Sequence, residues 1–308
     1  MHDAEATEAF KPRTDRVRAM VERAITNLTG QSSVAAAWRS LLSTQDVVGL
    51  KVCSAAGADA GTRPAVVAAV VEGLLAAQIP TNHIIIWDKH RADLRRAGFF
   101  ALAAQYGIRA ESSVSAGYDE KTFYEPDKPF PGPLLWSDLE FGRSGEGVGR
   151  KSFASKLVTK DMTRIINITP LLNHNVAGVS GNLYSLAMGS VDNTLRFEMN
   201  AGNLAQAVPE VYALPVLGDR VALNIVDALI CQYQGQQVGL LHYSAVLNEL
   251  RFSTDPVALD VLSLQELERQ RRSAKMAAPH GNWELYQNAS LLELGVSDLG
   301  NIMVERFQ

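Results

Sequence analysis

The segment 163–190 constrains the fold more than any other part of the sequence. Its apolar run at 165–172 is short and rich in β-branched residues, which is typical of a strand covered on both faces. An Asn-His-Asn turn at 173–175 and a small-residue loop at 177–181 follow, and a helix start comes next. Ligands bind at the carboxyl ends of strands in open α/β sheets, and helix N-termini attract anions. This order therefore predicts a ligand site.

Strand and helix patterns alternate along most of the chain. Apolar runs predict strands at 47–52, 83–87 and 220–229, and helical spacing predicts helices at 65–77, 92–106, 183–188, 257–271 and 283–294. The weaker patterns predict a helix at 204–214 broken at Pro209, a strand or hairpin at 238–247 and a short strand at 301–306. The alternation predicts an α/β fold with a mostly parallel, doubly wound sheet.

The chain divides into two predicted parts. Helical patterns at 13–30 and 33–42 predict an N-terminal helical extension over residues 1–45, and the α/β domain occupies 46–308. Prolines and glycines interrupt the region 113–160, which predicts an irregular or β insertion. Such an insertion either covers the site as a lid or decorates the surface.

Composition narrows the possible partners. The 308 residues are 47% hydrophobic and carry a net charge of −4, without a basic stripe interleaved with aromatic residues, so nucleic acid is not expected as a partner. No apolar run approaches the roughly 20 residues of a membrane helix, so membrane insertion is not expected. Cys53 and Cys231 are too few for a disulfide framework or an iron–sulfur cluster. The N-terminus lacks the order of a signal peptide, which indicates either a cytoplasmic protein or one whose leader has been removed.

Polar side chains follow the predicted strands, and we expect them to share one edge of the sheet. They are Lys51, Arg63, Asp88, His90, Arg91, Asn173, His174, Asn175, Ser180 and Asp227. The cations suit a carboxylate or phosphate, and the histidines suit proton transfer near neutral pH. Three of them have a structural alternative: an edge position for Lys51, a surface position for Arg63, and a capping or solvated position for His90. No metal-ligand spacing is recognisable; the candidates by residue type are Asp88, Asp227 and Glu198.

Several motifs resemble the DUF362 family of uncharacterised bacterial and archaeal proteins, in the family's order. They are VGLKV, TRPAVVAAVVEGLLAAQIPTNHIIIWDK, INITPLLNHNVAGVSGNLYSLAMGS, LPVLGDRVALNIVDAL and FSTDPVALDVLSLQ, from about residue 47 to residue 264. Some family members carry a ferredoxin-type cysteine cluster, which this chain lacks. Others are exported by the twin-arginine route, so the resemblance is compatible with export if a leader was removed.

A fainter resemblance is to the N-terminal domain of nickel-pincer lactate racemase. Thr62-Arg63-Pro64, His90-Arg91, and His174 with the loop 177–181 are similar to its motifs. The resemblance implies that His90 and His174 exchange protons and that Arg63 holds a carboxylate. Tyr184 stands where the racemase has its cofactor-linking lysine. The nickel-pincer nucleotide is therefore not expected, and the cofactor stays unknown.

The sequence thus predicts a cleft that binds a small anion. We expect an enzyme that transfers a proton or hydride on a small carboxylate or phosphate-bearing substrate, either isomerase- or racemase-like or an oxidoreductase. The alternative is a non-catalytic protein that binds a cofactor, metal or small molecule, or an accessory subunit. The expected catalytic residues are His90 and His174; the expected ligand-binding residues are Lys51, Thr62, Arg63, Arg91, Asn173, Asn175, Gly178, Ser180, Gly181 and Tyr184. The oligomeric state does not follow from the sequence.

Overall fold

The computed structural model describes residues 1–130, 141, 143, 148–235, 238–276 and 281–308. Most of the glycine-rich and proline-rich part of the predicted insertion therefore lies outside the described residues. The strands are β1 (Thr7–Glu8), β2 (Lys11–Pro12), β3 (Val48–Val52), β4 (Ile84–Asp88), β5 (Arg109–Ser112), β6 (Tyr118–Tyr124), β7 (Ser152–Ser155), β8 (Arg164–His174), β9 (Gly178–Val179), β10 (Val221–Gln232) and β11 (Ser244–Ser253).

Helices lie between most of the strands of the large sheet. They are α1 (Thr14–Thr29), α2 (Val34–Leu41), α3 (Gly57–Ala60), α4 (Pro64–Ala76), α5 (Arg91–Arg96), α6 (Phe99–Tyr106), α7 (Ser113–Ala116), α8 (Asn182–Ser190), α9 (Leu195–Glu198), α10 (Ala201–Tyr212), α11 (Pro256–Ser273) and α12 (Trp283–Leu291). In the described ranges, no helix is both long enough and apolar enough to cross a membrane.

The large sheet has the strand order β11-β10-β8-β3-β4-β5, with β9 paired to β8. The pairs from β10 to β5 are parallel, and β11 joins β10 in the antiparallel sense. The predicted α/β class with a mostly parallel sheet is therefore confirmed. From β3 the chain proceeds to β4 and β5 on one side, whereas β8 lies on the other. Such a reversal of strand order is where ligands bind in open sheets.

Each face of the sheet has its own hydrophobic cluster, because side chains alternate along a strand. In β4, Ile85 and Trp87 pack into one cluster, whereas Ile84 and Ile86 pack into the other. The first cluster also contains α8, α10 and α12, and the second contains α1, α2 and α4. The continuous apolar runs of β4 and β8 thus reflect burial on both sides.

The N-terminal helices pack directly on the sheet domain. Val17 and Met20 of α1 and Trp38 of α2 belong to the same buried cluster as β3 and α4. The N-terminus also lies along β11, where His2 pairs with Glu249 in the antiparallel sense. Residues 1–45 are therefore joined to the α/β core through a shared hydrophobic interface.

Three predicted elements differ in the structure. The helix predicted at 92–106 is split into α5 and α6, because Gly98 adopts a left-handed conformation with φ 86°. The break expected at Pro209 is absent: α10 continues, and Asn288 Nδ2 donates to Ala205 O at 3.1 Å, the carbonyl that proline leaves without its helical donor. The prediction of a strand at 301–306 is wrong, since only a 3-10 turn at Leu299–Asn301 is found there.

We predict that Gly73→Ala lowers the free energy of unfolding by about 1–3 kcal/mol, because a Cβ on Gly73 would overlap the indole nitrogen of Trp38. Urea denaturation measures the change. Gly202→Ala in α10 is the matched control, since the nearest atom to its Cβ is 3.4 Å away and helix propensity favours alanine. Equal effects of the two substitutions would contradict the proposed packing of α2 on α4.

Candidate functional site

A cleft of about 160 Å³ opens at the carboxyl ends of β3 and β4, and we call it the β3–β4 cleft. The strand ends contribute Lys51 and Asp88, and the following segment contributes Lys89, His90 and Asp93. The opposite wall comes from Tyr184 and Ser185 of α8 and from Thr194 and Glu198 at α9. The cleft thus lies beside the reversal of strand order at β3.

An ion pair between Lys51 and Asp88 forms the floor of the cleft. Lys51 Nζ donates to Asp88 Oδ1 at 2.8 Å, to Val52 O at 2.7 Å and to Ser185 Oγ at 3.1 Å, and its side chain is 1% exposed. Asp88 also accepts from the backbone and hydroxyl of Ser54 at 2.8 and 2.6 Å. Burial raises the pKa of Asp88, but the charge of Lys51 and these hydrogen bonds outweigh it and hold the pKa below its ordinary value.

The ion pair determines what Ser185 can do. A lysine that activates a serine nucleophile must accept its proton, whereas Lys51 donates all three N–H groups and faces an ionised carboxylate. Ser185 therefore accepts from Lys51 and retains its own hydroxyl proton for a ligand. Gly189 permits this arrangement, because a Cβ there would overlap the end of the Lys51 side chain.

His174 lies behind Tyr184, with 4.3 Å between the ring centroids. Its Nδ1 accepts from the backbone N–H groups of Val176 and Ala177 at 3.3 and 3.0 Å. Burial lowers the pKa of His174 to about 4, although the charge of Glu198 raises it. The neutral imidazole therefore carries its proton on Nε2 near neutral pH, which suits a hydrogen-bond donor better than a base.

The helix start that was expected to bind an external anion binds Asp260 instead. Asp260 of α11 accepts from the backbone and side-chain nitrogens of Asn182 at 2.7 and 2.9 Å and from Leu183 N at 2.9 Å. A Cβ on Gly181 would overlap this carboxylate. The loop with Gly178 and Ser180 is buried, so the chain's own carboxyl group occupies this site.

Thr62 and Arg63 connect the loop after β3 to the neighbouring strands. Arg63 NH1 donates to Asp227 Oδ1 at 2.9 Å, and NH2 donates to the carbonyls of Asp59 and Ile230, each at 3.0 Å. Thr62 Oγ1 accepts from Cys53 N and donates to Ile168 O. Arg63 and Asp227 are buried, and neither lines the cleft. Their contacts are those of a structural connection.

The remaining predicted residues also lie outside the cleft lining. Arg91 is exposed, contacts Glu111 at 3.4 Å and lies over the ring of Phe100. Asn173 is buried and donates to Asn175 Oδ1 at 2.9 Å, while Asn175 is exposed.

The cleft lining therefore contains Lys51, Asp88, His90, Tyr184 and Glu198 from the predicted set, with His174 behind Tyr184. The described residues contain no group of three His, Cys, Asp or Glu side chains suited to a metal, and the candidates Asp88 and Asp227 form ion pairs.

Several cleft residues were missed from the sequence. Lys89 could have been identified from the sequence, because it belongs to the charged run after β4. Its Nζ donates to Thr194 Oγ1 at 2.6 Å. Ser185 and Thr194 carried no such signal. Cys53 also lines the cleft, but burial raises the pKa of its thiol to about 12, so it is not a thiolate near neutral pH.

The described residues of the insertion support the α9 wall. Arg196 NH2 donates to Ser152 Oγ at 2.6 Å, and Phe153 N donates to Asp192 Oδ1 at 2.6 Å. Strand β7 is therefore attached to the segment that carries Thr194 and Glu198.

A family model matches the part of the chain that forms the α9 wall. Residues 143–265 match DUF362, a domain of unknown function. The predicted DUF362 resemblance is thereby confirmed. The DUF362 match includes β8, α8, α9 and Asp260, whereas Lys51, Asp88 and His90 precede it. No curated protein matches the chain, so the racemase resemblance stays a prediction.

We predict that Lys51→Met lowers the free energy of unfolding by about 3–5 kcal/mol, because it leaves the Asp88 carboxylate buried without a counterion. Urea denaturation near neutral pH measures the loss. The double variant Lys51→Met/Asp88→Asn should recover part of it, since the uncompensated charge is removed. A single variant as stable as the wild type would show that the ion pair contributes little.

We predict a pH-dependent effect of Asp260→Asn. At pH 5 the variant should lose about 1–3 kcal/mol, because an amide nitrogen would face the N–H of Leu183. Burial raises the pKa of Asp260 from 3.8 to about 7, although its hydrogen bonds lower it. The stability contributed by the raised pKa is complete below about pH 4 and is lost as pH rises through 7. The difference between wild type and variant should therefore shrink from pH 5 to pH 8.

Chemical denaturation at both pH values tests this expectation. Asp15→Asn, which changes an exposed carboxylate on α1, serves as the control and should show no comparable trend. A difference that grows with pH would mean that the buried carboxylate is ionised well below pH 7.

Proposed function

We propose that the β3–β4 cleft binds a small molecule with a carboxylate or phosphate group and transfers a proton on it. The observation that carries this proposal is the Lys51–Asp88 ion pair, which fixes an ammonium group at the floor beside a rim histidine. A buried ion pair at the carboxyl ends of parallel strands is costly to desolvate, and such groups are common in functional clefts.

The lining residues suggest separate roles. Lys89 and the Ser185 hydroxyl would bind the anionic group of the ligand, and the Lys51 ammonium would orient that hydroxyl by donating to its oxygen. His90 is exposed at the rim and would exchange the proton. Tyr184, with the neutral His174 behind it, would contact a substrate oxygen. Arg63 has no role here because its guanidinium binds Asp227.

A second candidate is binding without catalysis. It is favoured by the two backbone N–H groups that donate to His174 Nδ1. They keep the imidazole proton on Nε2, whereas a second base would need Nε2 without a proton. In this case the same cleft residues would bind the ligand, but His90 would have no catalytic role.

Proton transfer can be tested before the natural substrate is known. The protein is incubated in D₂O with small 2-hydroxy and 2-amino carboxylates and with phosphorylated analogues. Loss of the hydrogen on the carbon that bears the carboxylate or phosphate group is then followed by ¹H NMR. We predict exchange by the wild type and at least about 100-fold slower exchange by His90→Gln.

His242→Gln is the matched control, because His242 is exposed and outside the cleft. It should exchange at the wild-type rate. Exchange that persists in His90→Gln would remove His90 from the mechanism. Ligand binding without any exchange would favour the non-catalytic candidate.

A further inference from the structure

The charges that line the cleft do not suit a ligand that is purely anionic. The ionisable acids and amines in the lining are Lys51, Lys89, Asp88, Asp93 and Glu198. Two cations therefore face three carboxylates, and because Asp93 is paired with Arg96 beside the lining, the charges around the cleft balance. A ligand with only negative charge gains little from this balance.

Two of the three carboxylates are neutralised within the protein. Asp88 binds Lys51 at 2.8 Å, and Asp93 binds Arg96 at 3.0 Å. The carboxylate of Glu198 is different: it is half-buried, and within the described ranges it makes no hydrogen bond or ion pair. Glu198 is thus the acidic side chain of the cleft that a positively charged group of a ligand would pair with.

A ligand that fills the cleft displaces water from Glu198. Removing water from a carboxylate is unfavourable unless a donor or a cation replaces it. An ammonium group satisfies this requirement through charge and hydrogen bonding together. A second anion at the same place would instead repel Glu198.

The cation for the other end of the ligand is Lys89, which is bonded to the residue one helical turn before Glu198. Lys89 Nζ donates to Thr194 Oγ1 at 2.6 Å, and Glu198 N bonds to Thr194 O at 3.1 Å. Residues four apart on a helix lie on the same face, with about 5–6 Å between their Cβ atoms. Lys89 and Glu198 therefore present opposite charges at a spacing that a small molecule can bridge.

We propose that the ligand of the β3–β4 cleft is a small amino carboxylate, whose ammonium group binds Glu198 and whose carboxylate binds Lys89 and Ser185. This inference rests on the proposed function of the cleft and adds the class of ligand. A zwitterion meets both unlike charges, whereas a hydroxy acid meets only the positive one.

Matched ligand pairs test the inference. Isothermal titration calorimetry compares alanine with lactate and serine with glycerate. Within each pair, one compound has an amino group where the other has a hydroxyl group. Both enantiomers of each compound are measured. We expect the wild type to bind the amino acid at least about 10-fold more tightly. Glu198→Gln should lose this preference by weakening amino-acid binding about 10-fold or more, with little change for the hydroxy acid.

Two further variants make the result specific. Lys89→Met should weaken both members of each pair, because both carry the carboxylate. Glu8→Gln, an exposed position far from the cleft in the sequence, should change neither. Thermal unfolding of each variant checks that the fold is retained.

The outcomes separate the two proposals. Hydroxy acids that bind as tightly as amino acids, unaffected by Glu198→Gln, would overturn the ligand class while leaving an anion-binding cleft. Absence of binding of both classes to the wild type would overturn this inference, and absence of binding of the phosphorylated analogues as well would overturn the proposed function.

Discussion

The Lys51–Asp88 ion pair joins the parts of the molecule on which the cleft depends. Lys51 belongs to β3 and Asp88 to β4, and the ammonium group also binds Ser185 of α8. One buried charge therefore links two neighbouring strands and the helix that covers their ends. Removing a partner would leave the other charge buried, which is more costly than losing an exposed pair. This explains how a polar site persists within an apolar α/β core.

Periodicity made most of the fold predictable. Burial on both faces gives β4 and β8 continuous apolar runs, and packing on one face gives α1 its helical spacing. The exceptions depend on distant groups. Pro209 reads as a helix break, yet Asn288, far along the chain, satisfies the carbonyl that proline leaves open. Local helix propensity cannot predict this contact, because Asn288 is distant in the sequence.

The site was predicted only in part for the same reason. The sequence placed Lys51, Asp88 and His90 at strand ends, and the structure brings these three residues to one cleft. It could not show that the group bound at the start of α8 is the carboxyl of Asp260, which is 78 residues from Asn182. Nor could it show that Arg63 is bound by Asp227 from another strand. Residue type indicates what a group can bind, whereas tertiary contacts decide whether its partner is a ligand or the chain.

The position of β8 has a consequence for how the chain folds. Strand β3 pairs with β8 on one side, where Asn167 lies opposite Lys51, so this edge of β3 stays unpaired until a distant segment arrives. Contacts of such separation slow folding, and an unpaired apolar strand invites association with other chains. A lysine within that strand disfavours such association. The charge that would disfavour such association in the nascent sheet is the same charge that the finished protein holds at the floor of its cleft.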